Sequence, residues 1–229
     1  DIPMLSLSNA ADESEFKDYY LRTKKILSST DVELFAEPKF DGLAVSITYI
    51  DGKFDKAVTR GDGYIGEDVT QNVKTIKSIP LFVKDKHLPK KFTLKGEVFI
   101  DKKDFEIINK ENTNKKDKKY SNPRNLAAGS IRQLDPLIAS NRNLKLFIHG
   151  ISDYQKFRHI NKHHILIDHL KNLGFPINKY YRVIKDLDEA IHYFNEMKNA
   201  RNSIPYEIDG LVYRVNNLTD YKSLGSTSK

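Results

Sequence analysis

The sequence predicts an α+β fold, on three observations. Strand-like runs adjoin one another around Asp51-Gly52, as in a hairpin; helical patterns fall between the later strand-like runs; and no internal repeat imposes a regular alternation of strand and helix. A doubly wound parallel sheet needs that alternation, whereas neighbouring strands joined by a tight turn pair antiparallel. Antiparallel or mixed sheets with flanking helices are therefore expected.

Residues 12 to 28, "DESEFKDYYLRTKKILS", set Phe16, Tyr19, Tyr20, Thr23 and Leu27 at helical spacing behind an acidic first turn. This predicts a helix whose apolar stripe rests on the sheet that follows. From 33 to 60 the pattern changes to "ELFAEPKF", "LAVSITYI" and "KFDKAVTR", with Asp51-Gly52 between the last two. Asp-Gly between such runs is a strong hairpin signal. After the loop "GDGYIGED" a short helical stretch ends near Pro80, "FTLKGEVFI" at 92 to 100 alternates as a strand, and 101 to 109 read as a helix. "KENTNKKDKK" at 110 to 119 carries five lysines and nothing to bury, so it reads as an exposed loop, either a solvated turn or a contact to DNA. In "SNPRNLAAGSIRQLDP", Asn122 is placed to cap a helix, with Pro123 at its first position and Arg124 in its first turn. Strands are expected near 144 to 151 and 208 to 216, and helices near 158 to 172 and 186 to 201.

At 229 residues the chain can bury a substantial core without crosslinks, and 39% hydrophobic with 30% charged residues fits a globular protein rather than a disordered one. The absence of cysteine excludes disulfides and thiolate-bound zinc from this sequence. No run approaches the ~18 apolar residues of a membrane span and no leader pattern is visible, so a cytoplasmic protein without a membrane partner is expected. A formal charge of +7 favours a polyanionic partner without requiring one. The opening "DIPMLSLSNA" and the closing "SLGSTSK" read as the cut ends of a domain from a longer protein.

The chemistry centres on "EPKFDG". Side chains alternate along a strand, so Glu37, Lys39 and Asp41 share one face and Pro38 and Phe40 the other. A nucleophilic lysine needs desolvation or nearby cations, whereas flanking carboxylates favour its charged form. If Lys39 is the nucleophile, its acids hold a ligand or a metal, and Arg or Lys groups converge on it. An exposed edge strand of alternating charge is the bland reading of the same four residues. "TRGDGYIGED", "KGEVF" and "EIDGLVYRVN" follow in the order that a nucleotidyltransferase requires.

With these motifs the chain resembles the adenylation domain of bacterial NAD-dependent DNA ligases. The likeness runs through "PMLSL", "EPKFDGLAVSITYIDGKFDKAVTRGDGYIGEDVTQNV", "SNPRNLAAGSIRQLDP" and "PYEIDGLVYRVN", essentially the whole chain. K-x-D-G alone is shared with ATP-dependent ligases and capping enzymes; the second and third stretches are specific to the NAD-dependent family. The resemblance implies the ATP-grasp-like nucleotidyltransferase fold of DNA ligases over 1–229, with 1–30 as a helical lead-in. It implies that Lys39 attacks the α-phosphate of NAD, releases nicotinamide mononucleotide and carries AMP to a DNA nick. Ser6, Leu7, Glu37, Arg60 and Glu97 would contact the nucleotide. Asp41 and Asp209 would assist catalysis or hold metal, with Glu97 and Asp209 the possible Mg²⁺ ligands. Glu67 matches an acidic family position. Arg124, Arg132 and Arg201 would meet phosphates of DNA or cofactor, although Arg124 and Arg132 also fit the wet side of an amphipathic helix.

The chain departs from the family pattern at two places. Arg214 stands where lysine is usual, which suits phosphate binding but not proton transfer. His149 stands where tyrosine is common, either beside adenine or as a satisfied core histidine. Asp209 and Arg214 lie five apart, on opposite faces of a regular strand, so a bend near Gly210 is expected. The resemblance also implies a nicotinamide-binding subdomain before the chain, and OB-fold, zinc-finger, helix-hairpin-helix and BRCT regions beyond it, so zinc would belong only there. Nicked double-stranded DNA and NAD are the implied partners, for a monomer with Mg²⁺. An ATP-using ligase or capping-type enzyme, and a non-catalytic nucleic-acid-binding module, are the competing readings.

Overall fold

The computed structural model describes residues 10–61, 65–114, 119–157 and 159–224. Helix α1 (Glu13–Leu27) starts on Asp12, whose carboxylate accepts from the Glu15 amide at 2.9 Å, and it stops at Ser28 in the left-handed conformation. It buries Tyr20 and Thr23, and its Phe16 ring packs 4.6 Å from that of Tyr213. Strands β1 (Leu34–Phe40), β2 (Leu43–Ile50) and β3 (Lys53–Thr59) follow. Asp51 and Gly52 both take positive φ, 49° and 75°, as the tight hairpin turn demands.

Helix α2 (Thr70–Lys74) leads to β4 (Lys91–Phe99) and α3 (Lys102–Asn114). The lysine-rich stretch is thus not wholly a loop, because residues 110–114 continue α3, and 115–118 lie outside the described residues. Asn109 explains the extension: its side chain donates to the Tyr120 carbonyl and accepts from the Tyr120 amide, while its own carbonyl accepts from Thr113. Pro123 opens α4 (Pro123–Ile131) with the Asn122 side chain accepting from the Asn125 amide at 2.8 Å, as the sequence predicts. Next come α5 (Pro136–Ser140), β5 (Lys145–Ile151), α6 (His163–Asn172), β6 (Arg182–Ile184), α7 (Leu187–Ala200), β7 (Ile208–Val215) and α8 (Leu218–Ser223). Helix α6 starts later than its apolar pattern suggests, because Lys162 bridges to Asn217 in extended conformation and the His163 amide bonds to the Asn216 carbonyl.

The strands form two sheets, β6-β1-β7 and β3-β2-β4-β5, in which every described ladder is antiparallel. One core packs Val45, Ile47, Tyr49, Leu94 and Val98 of the larger sheet beneath Ala127, Ile131, Leu166 and Leu170 of α4 and α6. The other packs Leu34 and Ala36 of β1 against Tyr20, Tyr193 and Met197 of α1 and α7. Four rings join the sheets: Phe40 of β1, Phe99 of β4, Phe147 of β5 and Tyr206, with centroids 4.9–6.1 Å apart. Offset and edge-on aromatic contacts of this kind stabilise beyond their buried area. They hold the end of β1 beside β4, and the site lies there. Among the described residues no helix is long and apolar enough to cross a membrane.

Candidate active site

The site begins with a fault in a ladder. Opposite β1, Lys39 pairs with Gly210 and Phe40 with Ile208, leaving Asp209 as an extra residue of β7. Gly210 takes φ 149°, a conformation that L side chains rarely adopt, and so permits the bulge. The irregularity is where the sequence requires one, and it brings Asp209 and Arg214 to the same wall. Asp209 Oδ2 lies 2.6 Å from Lys39 Nζ, both side chains partly exposed.

Strand β4 supplies the facing wall. Lys95 and Glu97 alternate onto one face, while Leu94, Gly96 and Val98 turn to the core. Burial pushes Glu97 up to about 7, against the opposing pull of Arg124, Lys39 and the Gly42 amide, while Asp209 adds to the rise. Arg124, in the first turn of α4, reaches Asp41 at 3.3 Å. Gly42 allows this crowding, because a Cβ there would meet the Val98 carbonyl oxygen at 2.3 Å and Glu97 Cγ at 2.9 Å. Lys39, Asp41, Glu97, Arg124 and Asp209 thus form one cluster from β1, its following turn, β4, α4 and β7.

A second group is set around Glu37 and Arg214. Glu37 is buried and accepts from Arg214 at 2.6 Å. Burial raises Glu37 to about 7, and Arg214 pulls it back toward the ionised form. His149 is the extra residue of a second irregularity, since Lys95 pairs with Gly150 and Gly96 with Ile148. Burial, then Arg214 and Lys95, press His149 down to about 3, so its imidazole is neutral. His163, edge-on to Phe35 at 4.6 Å, is held neutral by the same burial and by Arg214.

Three other expected residues, Arg132, Arg60 and Arg201, are exposed. Arg132 pairs with Glu67 at 2.6 Å on an exposed rim, so that pair does not enter the lysine cluster. The Arg60 amide bonds to the Ala44 carbonyl at the end of β3, with its side chain exposed. Arg201 ends α7, exposed, with its carbonyl accepting from Lys102 Nζ at 3.2 Å; among the described residues its side chain has no ion pair. Ser6 and Leu7 lie outside the described residues. Lys95 and His163 were not anticipated. The alternation of "LKGEVF" puts Lys95 on the face of Glu97, a usable signal; His163, brought in by α6 from a distance, offers none.

Known proteins similar to this chain identify its family. The sequence profile described as the NAD-dependent DNA ligase adenylation domain matches residues 1–229. A DNA ligase of Dehalococcoides mccartyi is 40% identical over 227 residues, 99% of this chain and 33% of that protein. A DNA ligase of Thermodesulfovibrio yellowstonii is 44% identical over 230 residues, 99% of this chain and 34% of that protein. This chain therefore spans about a third of the length of these relatives. A profile match over the full length, on a fold that gathers the K-x-D-G lysine with acids from β4 and β7, leads to one conclusion: the chain belongs to the NAD-dependent DNA ligase adenylation domain family.

Proposed function

We propose that this chain carries the nucleotidyl-transfer step of NAD-dependent DNA ligation, with Lys39 as the nucleophile. The observation that carries the reading is the Lys39–Asp209 contact at 2.6 Å, in a cluster that also holds Glu97 and Arg124. Lys39 Nζ, as the free amine, forms an N–P bond to the α-phosphorus of NAD while the P–O bond to nicotinamide mononucleotide breaks. Asp209 is placed to take the proton shed by the amine. The AMP then passes to the 5′-phosphate of a nick, and the 3′-hydroxyl displaces it to seal the strand. Such transfers depend chiefly on in-line positioning and charge neutralisation. Arg124 and Lys39 supply cations where phosphates would lie, and Glu37 is suited to accept from the adenine amine. Arg214, which also bonds to Glu37, and Ser6, Leu7, Arg60, His149, Arg132 and Arg201 keep their implied ligand and phosphate roles as part of the proposal.

The acids fit Mg²⁺ as a partner: Asp209 and Glu97 are hard oxygen donors, and Mg²⁺ is commonly held by one or two carboxylates together with phosphates. Among the described residues no group of three or more acids or histidines could hold a metal by itself. When bound, the ion would neutralise charge on the phosphates. The reading carries with it a cytoplasmic, monomeric enzyme acting on nicked double-stranded DNA.

Mass spectrometry of the whole protein that contains this chain tests the reading. Incubation with NAD is expected to add one AMP, on the peptide containing Lys39, and Lys39→Ala is expected to abolish the addition. An adduct from ATP but not NAD would favour an ATP-using enzyme, and none from either would favour a binding module. The chain by itself is expected to bind adenine nucleotides weakly and scarcely to adenylate itself from NAD.

A further inference from the structure

We propose that Lys95 reads the base of the bound nucleotide, its ammonium donating to a ring nitrogen of adenine, N1 or N7, beside the amine that Glu37 accepts. The inference rests on the nucleotidyl-transfer reading and deepens it by assigning a base-recognition contact to this residue. Lys95 lies two residues before Glu97 on the cleft face of β4, opposite Ser46 on β2 and Gly150 on β5. The charged groups of the cleft fall into two sets. Glu97 feels Arg124, Lys39 and Asp209, whereas Lys95 feels Arg214 first and Asp153 next. Lys95 therefore belongs with Glu37, His149, His163 and Arg214, at the end away from the nucleophile.

That end holds buried polar atoms without partners. Arg214 is engaged with Glu37, yet its buried Nε has no hydrogen-bond partner, and neither does the buried Nε2 of His163. Among the described residues no acceptor bonds to the Lys95 ammonium, although the side chain is half-buried. A cation withdrawn in part from water with no acceptor to meet it is costly. A ligand that brings an acceptor relieves this cost. The cluster around Lys39 is where phosphates are met, so the acceptor brought to the far end is that of a heterocycle. With a carboxylate to take an amine and an ammonium to meet a ring nitrogen, adenine fits the two groups as they stand.

Isothermal titration of the whole protein with AMP, 1-deaza-AMP and 7-deaza-AMP tests the assignment. Lys95→Met is expected to weaken AMP binding roughly 10- to 100-fold, the loss of one hydrogen bond to a charged group, and Lys95→Arg to restore most of it. One deaza analogue is expected to bind the unaltered protein as weakly as AMP binds Lys95→Met, and to lose nothing more in that variant. Equal binding of AMP by the variant and the unaltered protein overturns the proposal, as does an equal loss for AMP and both analogues. If Lys95→Met fails to fold, unaltered protein that binds all three ligands alike overturns it. Should the Lys39 adenylate form while Lys95 proves irrelevant, only this proposal falls; if the unaltered protein neither binds AMP nor forms the adduct, both fall.

Discussion

Burial raises Glu97 to about 7, and the cations Arg124 and Lys39 oppose the rise. The folded protein therefore holds a proton there at pH values where the unfolded chain has released it. The resulting stabilisation is present at low pH and is lost as pH climbs from the ordinary carboxylate value to about 7. His149 runs the other way: it stays neutral when folded, so its contribution grows as pH rises toward the ordinary imidazole value. Comparing Glu97→Gln with the unaltered protein isolates the carboxylate. The variant is expected to gain in relative stability between about pH 5 and about pH 8, read as the difference in Tm at the two values. Asp209→Asn is expected to slow Lys39 adenylation by roughly 10²- to 10⁴-fold while leaving AMP binding largely intact, measured by single-turnover labelling. Much of this cluster was legible in the sequence, since alternation alone puts Glu37 and Lys39 on one face. The Arg214–Glu37 pair was not, because its partners are 177 residues apart and only the β1–β7 register joins them.

Strand β7 has to present an acid and an arginine to one wall from positions of opposite parity, and it does so by a bulge at Asp209 and Gly210. The odd spacing was enough to foresee that irregularity. A Cβ at Gly210 would meet nothing within 4 Å, so the cost of a side chain there is backbone strain and not collision. Gly210→Ala is expected to destabilise by about 1–2 kcal/mol in chemical denaturation and to slow adenylation as Asp209 moves from Lys39. The rings of Phe40, Phe99, Phe147 and Tyr206 act between elements, and Phe99→Ala is expected to cost about 3–5 kcal/mol. The DG hairpin and the Asn122-Pro123 cap are local chemistry, and the sequence reveals them. The short β6 was not foreseen: "RVI" is three residues long and is a strand only because β1 lies beside it. The extension of α3 was missed for a related reason, as its lysine-rich end buries nothing and is fixed by Asn109 and Tyr120.

Over the whole chain, an excess of seven positive charges accompanies a cleft whose own ions are largely paired. Binding of nicked duplex by the whole protein is expected to weaken steeply as salt rises from about 50 to about 200 mM, with a linear plot of log affinity against log salt. Arg124→Ala should make that slope shallower by about one phosphate contact if the guanidinium meets DNA. The α+β class was legible because hairpins and interposed helices leave local marks; the division into two sheets was not, since it depends on which distant strands pair. Beneath Lys39, at Gly42, main chain meets main chain with no room for a methyl group. Side chains can swing aside to admit an awkward guest, but peptide planes locked into a ladder do not. A larger residue here would therefore force the turn after β1 away from β4.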